Sequence, residues 1–304
     1  MHNIDQLPTM RDFLLADPPE MLYHYTTSAA LISIVRSRHF WAGRPEQMND
    51  GMELSHAFSC LLRVVAEEGF GETGVDAMFP RVISRDIMTG TAELGASAFI
   101  TSLSKADDSL SQWRAYCASG GGVCLGLPGA ELLKPAAVVQ EWTLAPCIYD
   151  EGDQLKVVRE LYELHLRELK AVLGTHQLDA SAAEAQIILA DRARKLFTDL
   201  HSYGLFLKHP SFHAEEEWRL VKFLTDQPDP ADLQFLPGPD GVRVFLPFRI
   251  LADNHPGFSD HPRPSVRTGP TRLPGTAEYA TSLLLENWNG PGNAPVLRTR
   301  STYR

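Results

Sequence analysis

The stretch from Glu151 to Phe206 contains no proline, in a chain that carries 21 of them, and its apolar residues recur at helical spacing. Leu155, Val158, Tyr162, Leu166, Leu169 and Leu173 make one stripe, and Ala185, Leu189, Ala193, Leu196, Leu200 and Tyr203 make a second, after a break at Gly174 to Asp179. Stripes of that length must be buried against something, so the segment predicts two long helices paired as a hairpin. On either side, short apolar runs and helical segments are interspersed without a regular βαβ rhythm. That pattern predicts an α+β fold with a mixed or antiparallel sheet. Residues 1–20 read as a lead-in and 21–304 as one domain, with 151–206 an insertion or cap.

Within that frame, Leu22-Tyr23-His24-Tyr25-Thr26-Thr27 reads as a short strand that delivers His24 to the start of a helix over 28–38, with Thr27 or Ser28 as its N-cap. A strand is expected at 39–42 and a second helix ending at Gly69. Ser97 to Ser104 has strand composition and closes in hydroxyls, followed by a short helix over 110–116 and a strand over 123–127. Further strands are expected at 137–143, 147–149, 218–223 and 242–250. Residues 253–275, rich in proline, glycine and histidine, predict a long loop ahead of a last helix (276–285) and a last strand (296–298).

Composition narrows the function classes. A net charge of −10 argues against a general grip on nucleic acid, which needs a basic surface to displace counterions. No run of about twenty apolar residues is present, and the first sixteen residues lack a secretory pattern. The four cysteines form no Cys-x-x-Cys pair, so reduced thiols and a cytoplasmic location are expected.

Two stretches concentrate chemistry. In Lys208-His209-Pro210-Ser211-Phe212-His213-Ala214-Glu215-Glu216-Glu217-Trp218-Arg219, three acids stand at the entry of a strand, with Glu215 and Glu217 expected on one face and Glu216 on the other. Like charges that close call for a cation or a cationic transition state, unless they simply decorate a solvated turn. His209 and His213 mimic an i, i+4 metal pair, but Pro210 denies them the helix that would align them, so no metal is expected. In Ser109 to Tyr116, Gln112 and Tyr116 share a helix face beside Trp113 and Arg114; these residue types stack on planar ligands and hold phosphates. The competing reading is an amphipathic helix with Trp113 in the core. Gly120-Gly121-Gly122 is neither a P-loop nor a dinucleotide fingerprint, Cys117 has no histidine partner in sequence, and no Gly-x-Ser-x-Gly occurs.

Taken together, His24-Tyr25-Thr26 with Trp41 and Asn49-Asp50-x-x-Glu53, Ser102-x-Ser104 with Leu110 to Tyr116, Lys208-His209-x-x-Phe212 with Glu215-x-Glu217-Trp218-Arg219, and the closing Ser301 to Arg304 resemble a bacterial family, the domain of unknown function 2971, over about residues 21 to 304. Leu22 to Thr26, a helix, then Phe40-Trp41 is similar, more distantly, to the opening of ADP-ribosyltransferase-fold proteins. That resemblance implies an ADP-ribosyltransferase-like sheet and NAD as substrate, with no metal. It implies His24 on a ribose hydroxyl, a hydroxyl-bearing middle strand (Ser102, Ser104) near the nicotinamide, and Glu217 or Glu215 as the catalytic carboxylate. The middle strand departs from many of those families in lacking a tyrosine. Tyr25, Thr26, Gln112, Trp113, Arg114 and Tyr116 complete the expected nucleotide contacts, with Arg114 on a pyrophosphate.

The chemistry is coherent: cleaving the nicotinamide–ribose bond develops oxocarbenium charge, which a carboxylate stabilises. The expected activity is transfer of ADP-ribose to a protein, nucleic-acid or small acceptor. The rival expectation is a non-catalytic module that binds a nucleotide or a protein. A hydrolase of phosphorylated or ribosylated substrates is a third.

Overall fold

The computed structural model describes residues 4–47, 53–90, 98–116, 121–176, 179, 182–224, 228–238, 241–250, 264–289 and 296–301. In chain order the elements are α1 (Pro8–Leu14), β1 (Met21–Thr27), α2 (Ser28–Ser37), β2 (His39–Gly43), α3 (Glu53–Glu68), α4 (Gly74–Met88), β3 (Ala98–Ser104), α5 (Leu110–Tyr116), β4 (Gly122–Pro128) and α6 (Lys134–Val139). They continue with β5 (Thr143–Pro146), α7 (Glu151–His176), α8 (Ala183–Gly204), β6 (Glu217–Phe223), β7 (Gln234–Gly238), β8 (Gly241–Arg249), β9 (Ser265–Thr268), α9 (Pro274–Asn289) and β10 (Val296–Arg298). The α+β class is as expected. Backbone contacts divide the chain into two compact units, one of residues 1–15, 45–97 and 148–210, the other of 16–44, 98–147 and 211–304.

The first unit is helical. α7 and α8 form the expected hairpin, and α1, α3 and α4 pack against it, so the hairpin belongs to a larger helical body. Every residue of the α8 stripe is buried. On α7 the buried set is wider than the single stripe: Val157, Leu161, Leu164 and His165 are buried too, while Leu166 is only partly so. The reason is that α7 is covered from more than one side, by α3 and α4 as well as by α8. Between α7 and α8, the buried His165 ring meets the Asp199 carboxylate at 3.2 Å. α3 stops where Gly69 takes a positive φ of 77°, and the Gly69 N–H returns to the Val65 carbonyl.

The second unit contains the sheet. Its strand path is β10-β9-β4-β1-β3-β2-β8-β7, and β6, carrying β5 on its far side, joins the other edge of β3. β3 is therefore a branch: Tyr23 of β1 meets Ser104 near one end, Gly43 of β2 meets Ile100 further along, and β6 runs antiparallel to its whole length. All pairings are antiparallel except β9 with β10. One face carries the main core, where Leu22, Phe40, Leu103, Leu125, Leu127, Trp218 and Leu220 pack with residues from α2, α6 and α9. Thr27 caps α2 by accepting from the Ala30 N–H at 3.2 Å.

Three expectations are corrected. Residues 137–143 are not a strand: Pro135 starts a helical turn, α6, and Val138 and Val139 are exposed instead of buried. The strand in this region is β5, and 147–149 contributes only a bridge from Ile148 to Leu207. The stretch 253–275 contains β9, which pairs with both β4 and β10; residues 251–263 lie outside those described. Pro237 and Gly238 masked β7 as turn residues; at an edge, paired only with β8, they are tolerated in a strand.

Candidate functional site

The site stands on the face of the sheet opposite the main core. Side chains alternate along a strand, so Tyr23 and Tyr25 of β1 point one way and Leu22, His24 and Thr26 the other. Residues paired across an antiparallel ladder share a face. Tyr23 pairs with Ser104, and Ser104 with Glu217, which sets a tyrosine, a serine and a carboxylate in one row. Ser102 pairs with Arg219 in the row beside it. α5 lies over this face, its Trp113 ring edge-on to Tyr25 with centroids 4.8 Å apart. A 3₁₀ turn over Pro210–Glu215 brings in the second carboxylate.

Tyr23, Tyr25, Ser102, Ser104, Gln112, Tyr116, Glu215 and Glu217 line one pocket with about 10 Å³ of free space, room for a single water. Glu215 reaches it by a different route from the expected strand alternation. β6 begins only at Glu217, and Glu216 takes a left-handed φ of 43°, which turns the chain between the two acids. The turn is tied down by the Glu216 N–H on the His213 carbonyl (3.1 Å), the Lys105 N–H on the Glu216 carbonyl (3.1 Å) and the Ser104 hydroxyl on the Glu215 carbonyl (2.7 Å).

The hydrogen-bonding state of these groups is uneven. Glu217 is buried and receives two bonds from the fully buried Arg219 guanidinium, Nε to Oε1 at 2.9 Å and Nη2 to Oε2 at 3.2 Å. Glu-x-Arg on a strand puts both side chains on one face, which is why the pair forms within a single strand. Tyr25 donates to the Ala106 carbonyl and accepts from the Ser109 N–H, both at 2.8 Å, and burial pushes its hydroxyl pKa well up. By contrast, the buried Ser102 hydroxyl has no hydrogen-bond partner. The half-buried Tyr23 and Gln112, a residue only 6% exposed, bring further polar groups to the same pocket. Native structures pair nearly all buried polar groups, so the unpaired Ser102 hydroxyl, with these groups beside it, marks the pocket as a place for a polar ligand.

Seven of the expected site residues therefore meet: Tyr25, Ser102, Ser104, Gln112, Tyr116, Glu215 and Glu217. Four do not. His24 faces the core side, its ring 4.9 Å from Phe40, with Nδ1–H donating to the Ser102 carbonyl at 3.0 Å. It cannot reach a ligand held by Glu217, which points from the opposite face of the sheet. Thr26 shares the His24 face. Trp113 is 1% exposed, packed against Tyr25 and Cys124, with its indole N–H on Asp108 at 2.8 Å; the core reading of that residue is the right one. Arg114 is exposed and lines no part of the pocket. Tyr23 was missed, although the period of two that admits Tyr25 requires Tyr23 beside it and excludes His24.

The His24 environment has a measurable consequence. Burial lowers its pKa below 6.5, and the bond to the Ser102 carbonyl only partly opposes this. Between the folded and unfolded pKa values the unfolded chain binds the extra proton, so stability rises with pH through that window. His24→Gln is thus expected to lose less stability than the native chain between pH 7.5 and 5, measured by urea unfolding at both.

Asp108, at the start of α5, anchors a second network. Burial raises its pKa, but bonds from the Thr299 hydroxyl, the Arg300 N–H and the Trp113 indole, with the Arg267 charge, outweigh it and hold the carboxyl below the usual range. A larger cavity of about 270 Å³ lies between α2 and α9, lined by Leu31, Ile32, Val123, Ala277 and Leu284; it contains none of the expected site residues. Among the described residues no group of three or more His, Cys, Asp or Glu side chains is placed to hold a metal, and no helix is long and apolar enough to cross a membrane. Cys60, Cys124 and Cys147 are buried and form no disulfide among the described residues. Cys117, Asn49, Asp50, Tyr303 and Arg304 lie outside the described residues.

No curated protein and no solved structure matches the chain. Residues 112–220, from the pocket-facing Gln112 through the Glu217–Arg219 strand, match the family model described as protein of unknown function (DUF2971).

Proposed function

We propose that the pocket takes the nicotinamide–ribose end of NAD or of a closely related nucleotide, and that the protein transfers ADP-ribose to a protein, nucleic-acid or small acceptor. The observation that carries this reading is the unpartnered Ser102 hydroxyl, lining one pocket with Tyr23, Gln112 and two carboxylates. A primary amide such as Gln112 both donates and accepts, which suits a carboxamide, and the hydroxyls suit a ribose diol. A carboxylate beside the ribose C1′ opposes the positive charge that develops as the glycosidic bond breaks. Glu215 is the better candidate for that role, because the Arg219 guanidinium already offsets the charge of Glu217. Glu217 and Arg219 then position the strand and its hydroxyl neighbours. The proposed transfer uses no histidine, since His24 lies on the opposite face.

The test is release of nicotinamide from NAD by the full chain, beside Glu215→Gln and Glu217→Gln. Glu215→Gln is expected to lower turnover by at least about 100-fold. Equal turnover in the native chain and both variants would sink the assignment.

One observation favours the non-catalytic alternative: the carboxylate best buried in the pocket, Glu217, is fully engaged by Arg219, as in a binding site that holds its ligand by hydrogen bonds alone. Thermal stabilisation by NAD or ADP-ribose without any turnover would establish that reading instead.

A further inference from the structure

The pocket has room for one water, yet it holds the unpartnered Ser102 hydroxyl and two carboxylates, so the segment that covers it decides what enters. That segment is Lys105 to Tyr116, from the end of β3 through α5, and it contributes Gln112 and Tyr116 to the pocket wall. Three groups of attachments hold it among the described residues. At the root, the Ala106 N–H bonds to the Ser104 hydroxyl at 3.0 Å. In the middle, Tyr25 bridges Ala106 and Ser109, and Trp113 sits in a small cluster with Tyr25 and Cys124, apart from the main core. Leu110 and Tyr116, the other large residues of α5, are 41% and 39% exposed.

The third attachment comes from the far end of the chain. Thr299 and Arg300, just beyond β10, bring a hydroxyl and an N–H (2.7 Å) to the Asp108 carboxylate. Arg267 of β9, 9% exposed, bonds the Asp107 carbonyl at 3.1 Å and its carboxylate, while its Nη1 donates to the Arg298 carbonyl at 2.7 Å. One arginine and two residues after β10 thus grip the two aspartates that begin the covering segment. Nothing in a short helix with one buried apolar anchor requires so dense a set of charge-assisted bonds at its start.

We propose that residues 105–116 form a lid over the pocket, and that Arg267, Thr299 and Arg300 are its latch, acting on Asp107 and Asp108. The described conformation is the closed one, and a nucleotide-sized ligand enters when the latch lets go. Segments with few buried apolar contacts open at lower free energy than the sheet beneath them. The root couples the lid to the site: Ser104 bonds both Ala106 and the Glu215 carbonyl, and Lys105 bonds the Glu216 carbonyl, so movement of the lid shifts the turn that carries Glu215. The purpose given to the lid rests on reading the pocket as a ligand site; the latch does not.

The experiment is amide hydrogen exchange, read by mass spectrometry, on the full chain and on Thr299→Val and Asp108→Asn. Thr299→Val removes a latch contact on Asp108 while leaving every pocket and lid residue itself unsubstituted. Peptides within 105–116 are expected to exchange about tenfold faster in both variants, while peptides of β1 and β4 keep their native rates. Unchanged exchange of 105–116 in both variants, or the same acceleration throughout β1 and β4, would overturn the proposal. NAD binding by the same proteins separates the two readings. A loosened lid with tighter NAD binding is what both require, since raising the competent population raises apparent affinity in proportion. A loosened lid with no NAD binding in any variant leaves the latch standing and removes NAD as the ligand.

Discussion

Arg219→Met is expected to destabilise the protein by about 3–5 kcal/mol, the cost of leaving a buried carboxylate without its counter-charge. Both partners are desolvated, Arg219 at 0% and Glu217 at 4% exposure, and the two bonds between them are geometrically good. The asymmetry of such pairs makes the result diagnostic. Removing one partner strands a charge in a low dielectric, whereas replacing both by uncharged groups restores most of the loss. The double variant Glu217→Gln/Arg219→Met is accordingly expected to be more stable than Arg219→Met alone, by about 1–3 kcal/mol. Urea unfolding of the three proteins measures both numbers. A loss below about 1 kcal/mol in Arg219→Met would mean that the pair behaves as a solvated surface bridge, and Glu217 would return as a candidate for chemistry.

Trp113→Ala is expected to cost about 3–5 kcal/mol, the range for emptying a buried aromatic site. The ring is 1% exposed and fills the space against Tyr25 and Cys124, and Gly269 comes so close that a Cβ there would lie 2.9 Å from it. Trp113→Phe keeps most of that packing and loses the indole bond to Asp108, so it is expected to cost about 1–2 kcal/mol less than alanine. A tryptophan held out to stack on a ligand behaves differently: its removal changes stability by no more than about 0.5 kcal/mol and shows only in binding. Urea midpoints of the two variants distinguish these cases.

These two residues show where the linear sequence was informative and where it was not. Trp113 and Arg114 stand side by side on a short helix, and one-dimensional spacing does not tell which of two neighbours finds a partner in the sheet beneath. The sheet decided it, by placing Tyr25 and Cys124 beneath the tryptophan. Arg219 belongs to the Glu-Trp-Arg motif, but its role depends on burial, which that pattern does not carry.

Local rules did determine a good deal. Proline-free helical stripes required the α7–α8 hairpin, Thr27 or Ser28 marked the start of α2, and aromatic, hydroxyl-bearing and apolar runs marked β1, β3 and β4, because propensity and periodicity act over a few neighbouring residues. The same local rule of alternation already divided β1 into a Tyr23–Tyr25 face and a His24 face. Which of those faces would carry the pocket, and which the main core, was a matter of register: only the pairing of Tyr23 with Ser104, and of Ser104 with Glu217, put the tyrosines with the acids and turned His24 toward Phe40. Register is a long-range property, set by which strands pair and which face finds apolar cover, and a slip of one residue would exchange every side chain between faces. The residue types of the site were therefore written in the sequence, and their assembly into one pocket was decided by the tertiary structure.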